Sequence, residues 1–148
     1  MSATTSTIPS SKSATTAASL QNLVNTYGEL GGRILISLLF LLSGVSKIGG
    51  YAATAGYMHA MGVPAALLPL VILTEVGGAL AIIAGWQTRV VAFLLAGYTL
   101  LTGLIFHHNL ADQTQLIMFW KNVSITGAFL LLVVHGAGQL SLDKRNQK

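Results

Sequence analysis

The chain has 148 residues, of which 53% are hydrophobic and only 8% charged, with a formal net charge of +4 and a mean hydropathy of +0.69. An ordinary soluble domain carries about 25% charged residues, so this balance excludes a water-facing globule and points to a bilayer as solvent. The eight Lys and Arg residues are scattered rather than gathered in a basic stripe, which argues against nucleic acid as a partner; with no cysteine, the chain alone forms no disulfide or thiolate-held cluster.

Met1 to Ser19 is dominated by Ser, Thr and Ala and carries the single charge of Lys12. It lacks the basic start and apolar centre of a secretory signal, so a disordered tail is expected. Leu20, Leu23, Val24 and Tyr27 follow at the spacing of one helical face, which predicts a short helix at the membrane surface within residues 1–28.

Four apolar runs then follow, at about Glu29 to Ile48, Ala65 to Trp86, Arg89 to His107, and Leu116 to Ala137. Each approaches the roughly 20 residues that cross a ~30 Å hydrocarbon layer. Short connections make neighbouring helices antiparallel. The expected fold is an all-α membrane protein over residues 29–141, a four-helix transmembrane bundle, with residues 142–148 as a basic cytoplasmic tail. Gly49 to Pro64 is too polar and glycine-rich to span, while Tyr51, Tyr57, Met58 and Met61 are too apolar for a free loop. A short interfacial helix from Ala52 to Met61 is therefore expected between helices one and two. Small residues one turn apart, Gly28 with Gly32, Gly77 and Gly78 with Ala81, and Thr99 with Gly103, are candidate sites of close helix approach.

Of the eight basic residues, Lys12, Arg33, Arg89, Lys144, Arg145 and Lys148 fall on one side of these spans, and Lys47 and Lys121 on the other. That asymmetry predicts that both termini are cytoplasmic.

Ionisable residues inside apolar runs carry the functional signal, because they are rare in membrane helices and face protein or water there. At ~1.5 Å of rise per residue, Glu75 falls near mid-membrane. Lys47, the His107-His108 pair, Lys121 and Asn122 lie nearer the outer face. Glu75 should then be paired, hydrated or protonated, with Lys47 or Lys121 as partner. Three readings remain open: an ion pair fixing helix register, an outward polar pocket for a small or quinone-like head group, and a proton relay through Glu75 and the histidines. Arg33 stands apart at the cytoplasmic end, where its side chain is expected to snorkel to lipid phosphates. Haem is disfavoured because the histidines lie at different depths. A metal at His107-His108 is disfavoured because adjacent helical residues point about 100° apart.

The stretches GRILISLLFLLSGVSKIGGY, MGVPAALLPLVILTEVGGALAIIAGWQTRVVAFLLAGYTLLTGLIFHH and MFWKNVSITGAFLLL resemble the DoxX family of small bacterial inner-membrane proteins. The resemblance covers roughly Gly31 to Asp143. Its matching positions are Arg33, Gly44, Lys47, the Gly62-Val63-Pro64 turn, Glu75, Gly77-Gly78, Gly85, Thr88-Arg89, His107 and Lys121-Asn122. It implies a four-helix fold and a redox or quinone context, since the family takes its name from subunits of a thiosulfate:quinone oxidoreductase and some relatives carry an oxidoreductase label. The Ser/Thr-rich tail is not part of that pattern. On this footing the chain is expected to be a redox- or quinone-associated subunit, at most part of an oxidoreductase. Its pocket would be lined by Lys47, Glu75, His107, Lys121 and Asn122, with the bilayer and another membrane or redox protein as partners. A non-enzymatic assembly partner or small permease is the alternative.

Overall fold

The structure is a computed structural model that describes residues 11–146. Helix α1 runs Ser11–Gly49 and is followed by α2, Tyr51–Ala60. A single 3-10 turn, Ala65–Leu67, leads into α3, Leu68–Ala84. Then come α4, Thr88–Phe106, α5, Gln113–His135, and a last turn, α6, Leu142–Arg145. Among the described residues there is no strand, and four helices are long and apolar enough to cross a membrane. The protein is an all-α four-helix bundle.

The helix boundaries follow local chemistry. Pro69 sits in the first turn of α3, where a missing N–H costs nothing. That helix ends on Gly85, left-handed at φ +68°, with the Trp86 N–H returning to the Ala81 carbonyl at 2.9 Å, a closure that favours glycine. Asp112 caps α5 by accepting from Gln115 N at 2.9 Å. The predicted short helix between the first two spans is α2, close to its expected limits.

The N-terminal expectation divides. Residues 1–10 of the expected disordered tail lie outside the described residues. From Ser11 onward there is no separate surface helix: the segment bearing Leu20, Leu23, Val24 and Tyr27 is continuous with the first span. No proline interrupts it, and Gly28, Gly31 and Gly32 lower helix propensity without forcing a break. At ~1.5 Å per residue, the 39 residues of α1 exceed what a ~30 Å hydrocarbon layer can contain.

The outer surface of the bundle is apolar, unlike that of a soluble one: Leu35 and Leu73 are 71% and 66% exposed. The interior mixes small and polar residues, including Ala79, Ala92, Ala96, Ser37, Thr88 and Thr99, with larger apolar ones such as Phe40, Ile82, Leu95 and Phe129. Lipid solvates the leucines as well as a core would, so small residues at the helix contacts set the packing. Helix α1 packs on α3 and α4 on α5. Phe40 meets Phe129 edge-on at 5.3 Å, joining α1 to α5.

Two of the expected small-residue sites are real contacts. A Cβ on Gly78 would meet the Leu95 side chain at 2.9 Å, and one on Gly103 would meet Asn122 Cβ at 3.0 Å. The Gly28-Gly32 pair is not: nothing lies within 4 Å of a Cβ at either residue. Arg33, just beyond them, already faces the last turn of α3, so α1 has outrun its partner helix there.

Candidate functional site: a polar pocket beneath a surface helix

Gly44 determines how closely α1 approaches α3. A Cβ at this position would come within 2.6 Å of Val76 Cγ2 and 3.1 Å of Glu75 Cβ. Lys47 lies three residues further on, on the same helical face, so its ammonium group comes to rest beside the α3 carboxylate. Lys47 Nζ donates to Glu75 Oε2 at 2.8 Å, to Oε1 at 3.0 Å and to Ser43 Oγ at 2.6 Å. From α4, the Tyr98 hydroxyl donates to Glu75 Oε1 at 2.7 Å. The Glu75 side chain is 7% exposed and that of Lys47 22%. This answers the cost of burying a carboxylate within a spanning helix: its charge is matched by one ammonium, and three hydrogen bonds satisfy its oxygens.

The ion pair forms part of the wall of a cavity of about 490 Å³. Every spanning helix contributes to its lining, as does α2, which supplies Tyr57 and Met58. Most of the surface is apolar, from side chains such as Leu39, Leu70, Val71, Ile105 and Ile125. Tyr57 stacks on Phe106 with centroids 5.5 Å apart, which ties α2 to the end of α4. Volume and lining are those of a small-molecule site, apolar with a few convergent polar groups.

All five residues expected in the pocket line it: Lys47, Glu75, His107, Lys121 and Asn122. They are not joined into one network. Of the two lysines considered as partner for Glu75, Lys47 is the one that pairs. Lys121 is exposed and donates only to Met118 Sδ, at 3.2 Å. The Asn122 side chain packs against Gly103, where α4 and α5 come closest. His107 Nδ1 pairs with Gln115 Oε1 at 2.8 Å and His108 Nδ1 with the Ile105 carbonyl at 2.9 Å. Among the described residues, no hydrogen bond links Glu75 to a histidine.

Tyr98 and Ser43 belong to the site and were not anticipated. The signal for Tyr98 was a hydroxyl in the middle of an apolar run, whose partner lies 23 residues earlier in sequence.

At the opposite end of the bundle, the expectation for Arg33 is corrected. Its side chain does not snorkel outward to lipid phosphates. It is fully buried and donates to the Ile82 and Ile83 carbonyls, each at 3.3 Å, and to Leu140 O. The physical reason is that the last carbonyls of α3 turn toward Arg33, Ile82 O keeping the Gly85 N–H as well, at 3.1 Å, and the chain after α5 folds back over the guanidinium. Asp143 fixes that return. Its carboxylate accepts from Gln87 N at 2.7 Å and Thr88 N at 2.8 Å, capping α4, while its own N–H donates to Gly85 O at 2.8 Å. Burial alone would raise the Asp143 carboxyl, but the Thr88 and Gln87 N–H groups and the Arg33 charge outweigh it and hold it below its ordinary value. Glu29 joins the same closure, accepting from Gln139 N at 3.3 Å. Residues 142–146, expected as part of a basic tail, are thus anchored here through Asp143.

The fold and these buried charges define a multi-pass membrane protein of four spans with an internal pocket. The DoxX family model matches residues 28–108, and the chain belongs to the DoxX family. It is 52% identical over 117 residues to "Inner membrane protein YqjF" of Escherichia coli (strain K12), covering 79% of this chain and 90% of that one. It is 43% identical over 121 residues to "Inner membrane protein YphA" of the same organism, covering 76% and 86%. No solved structure matches the chain. With these relatives and four apolar spans, it is a multi-pass inner-membrane protein.

Proposed function

We propose that this protein holds a quinone-type head group in the cavity beneath α2 and serves a redox-associated membrane assembly, with both termini in the cytoplasm. The observation that carries the reading is a mostly apolar chamber of about 490 Å³ to which each spanning helix also brings a polar group: Lys47 from α1, Glu75 from α3, Tyr98 from α4, and Lys121 and Asn122 from α5. The oxygens of a quinone-type head find donors among these groups, while its hydrocarbon substituents face Leu, Val and Ile. A soluble polar metabolite would gain little from such walls, whereas a membrane-dissolved amphiphile is already at the depth of the pocket. The distribution of basic residues beside the spans supports this orientation, and with it a cavity in the outer half of the membrane.

The test is retention and binding of quinone by the intact protein. Native mass spectrometry of protein extracted in mild detergent is expected to show a bound isoprenoid quinone. Added 1,4-naphthoquinone is expected to quench the intrinsic fluorescence saturably, with Glu75→Gln weakening that binding. A folded protein with no retained quinone and no saturable quenching ends this reading.

A further inference from the structure

The pocket has an uncompensated positive charge. The chain has four acidic residues, and all four are engaged elsewhere. Glu29 accepts from Gln139 N, Asp112 caps α5 through Gln115 N, and Asp143 caps α4 through Gln87 N and Thr88 N. Glu75 is matched by Lys47 and also bonded by Tyr98. Lys121 lines the cavity, yet among the described residues its ammonium donates only to a thioether sulfur, which is a weak acceptor. Next to it, Asn122 also lines the cavity, and no side-chain hydrogen bond of Asn122 occurs among the described residues. Glu75, by contrast, already takes three of the roughly four hydrogen bonds a carboxylate can accept. On the Lys121 wall, then, the charge left over is a cation's, and the Asn122 amide beside it adds unpartnered donors and one acceptor.

From this charge count we infer that the cavity favours an anionic, oxygen-rich head, held at the Lys121-Asn122 wall, over a neutral or cationic head of the same shape. The inference rests on the reading of the cavity as a binding site and specifies the charge class of what it takes. An ammonium at the edge of a low-dielectric chamber distinguishes an anion from a neutral molecule of the same shape more sharply than it would in water. The same chemistry is available from a membrane-dissolved anionic amphiphile or from the head group of an anionic lipid.

The test compares two quinones of nearly one shape. Full-length protein in phosphatidylcholine nanodiscs would be titrated with 1,4-naphthoquinone and with 2-hydroxy-1,4-naphthoquinone, which is an anion at neutral pH. The anion is expected to bind about tenfold more tightly, the scale of one partly exposed charge-assisted contact. Lys121→Gln, at an exposed position that leaves the fold intact, should remove that preference by weakening the anion far more than the neutral quinone, for which the glutamine amide still offers a hydrogen-bond donor. Equal affinity of the two quinones for the unaltered protein overturns the inference and leaves the quinone reading standing. If neither quinone binds but dodecanoate does, with Lys121→Gln abolishing it and dodecanol inert, the quinone reading falls and the anionic class stands. Failure of both quinones and of dodecanoate overturns both. In phosphatidylglycerol nanodiscs, loss of the anion preference together with retention of that lipid on purification identifies a lipid head group as the source of the anion.

Discussion

The two ends of this bundle bury charge in opposite ways. At one end, Lys47 and Glu75 neutralise each other through side chains and leave an open chamber beside them. At the other end, the fully buried Arg33 is directed at backbone carbonyls of α3 and of the chain beyond α5. There the space around it is filled: a Cβ on Gly85 would overlap both the Arg33 side chain and Ser141. A buried charge that closes a helix terminus is a structural device. A buried charge that borders empty volume leaves room for a ligand. Residue type alone does not distinguish the two cases; the partner and the adjoining space do.

This contrast is most directly broken at Arg33. Arg33→Leu removes the side-chain donor from the carbonyl oxygens of Ile83 and Leu140 and one of two donors from Ile82 O, and should lower stability by about 3–5 kcal/mol, as loss of a buried charged partner typically does. Thermal unfolding in detergent measures it, and a variant as stable as the parent would show that the closure contributes nothing. At the pocket end the effect should be smaller. Lys47→Met leaves Glu75 without its ammonium, but the adjoining cavity gives water access to the carboxylate and Tyr98 still donates to it, so about 2 kcal/mol is expected. Adding Glu75→Gln to Lys47→Met should recover most of that loss, because the stranded charge is gone. A double variant no more stable than the single one would mean that the pair is not the source of the effect.

The smallest expected effect sharpens the comparison by pH. The Asp143 carboxyl is held below its ordinary value, so the stability it contributes is complete above the unfolded carboxylate pKa of about 3.9. It is lost as pH falls through the lower folded value. Asp143→Asn should cost about 1 kcal/mol at neutral pH, the usual worth of a helix cap. It should also flatten this part of the acid limb of an unfolding temperature–pH curve. Parallel acid limbs for variant and parent would rule out Asp143 as the group responsible.

Much of the pocket was legible because depth along a spanning helix follows from counting residues. Lys47, His107, Lys121 and Asn122 were assigned to one layer by rise per residue, and all of them line the cavity. What counting could not supply is the direction in which each side chain leaves its helix. Lys47 and Lys121 were interchangeable partners for Glu75 until the approach of Gly44 to Glu75 and Val76 brought Lys47 to the carboxylate. Tyr98 was overlooked because an aromatic residue within an apolar run counts as hydrophobic, although its hydroxyl completes the site. Arg33 was misread because a cation at a helix start near the membrane boundary snorkels unless something covers it. What covers it comes from residues more than a hundred positions away.

The sequence by itself determined the solvent, the number of spans and the rank order of buried charges by depth. Hydropathy and length are sums over contiguous residues, and the bilayer reads them locally. Only the tertiary structure decided which charges meet, which helix ends are closed and where volume stays open. Those outcomes depend on the rotation of each helix about its axis and on contacts between distant segments, both set when small residues let particular backbones touch.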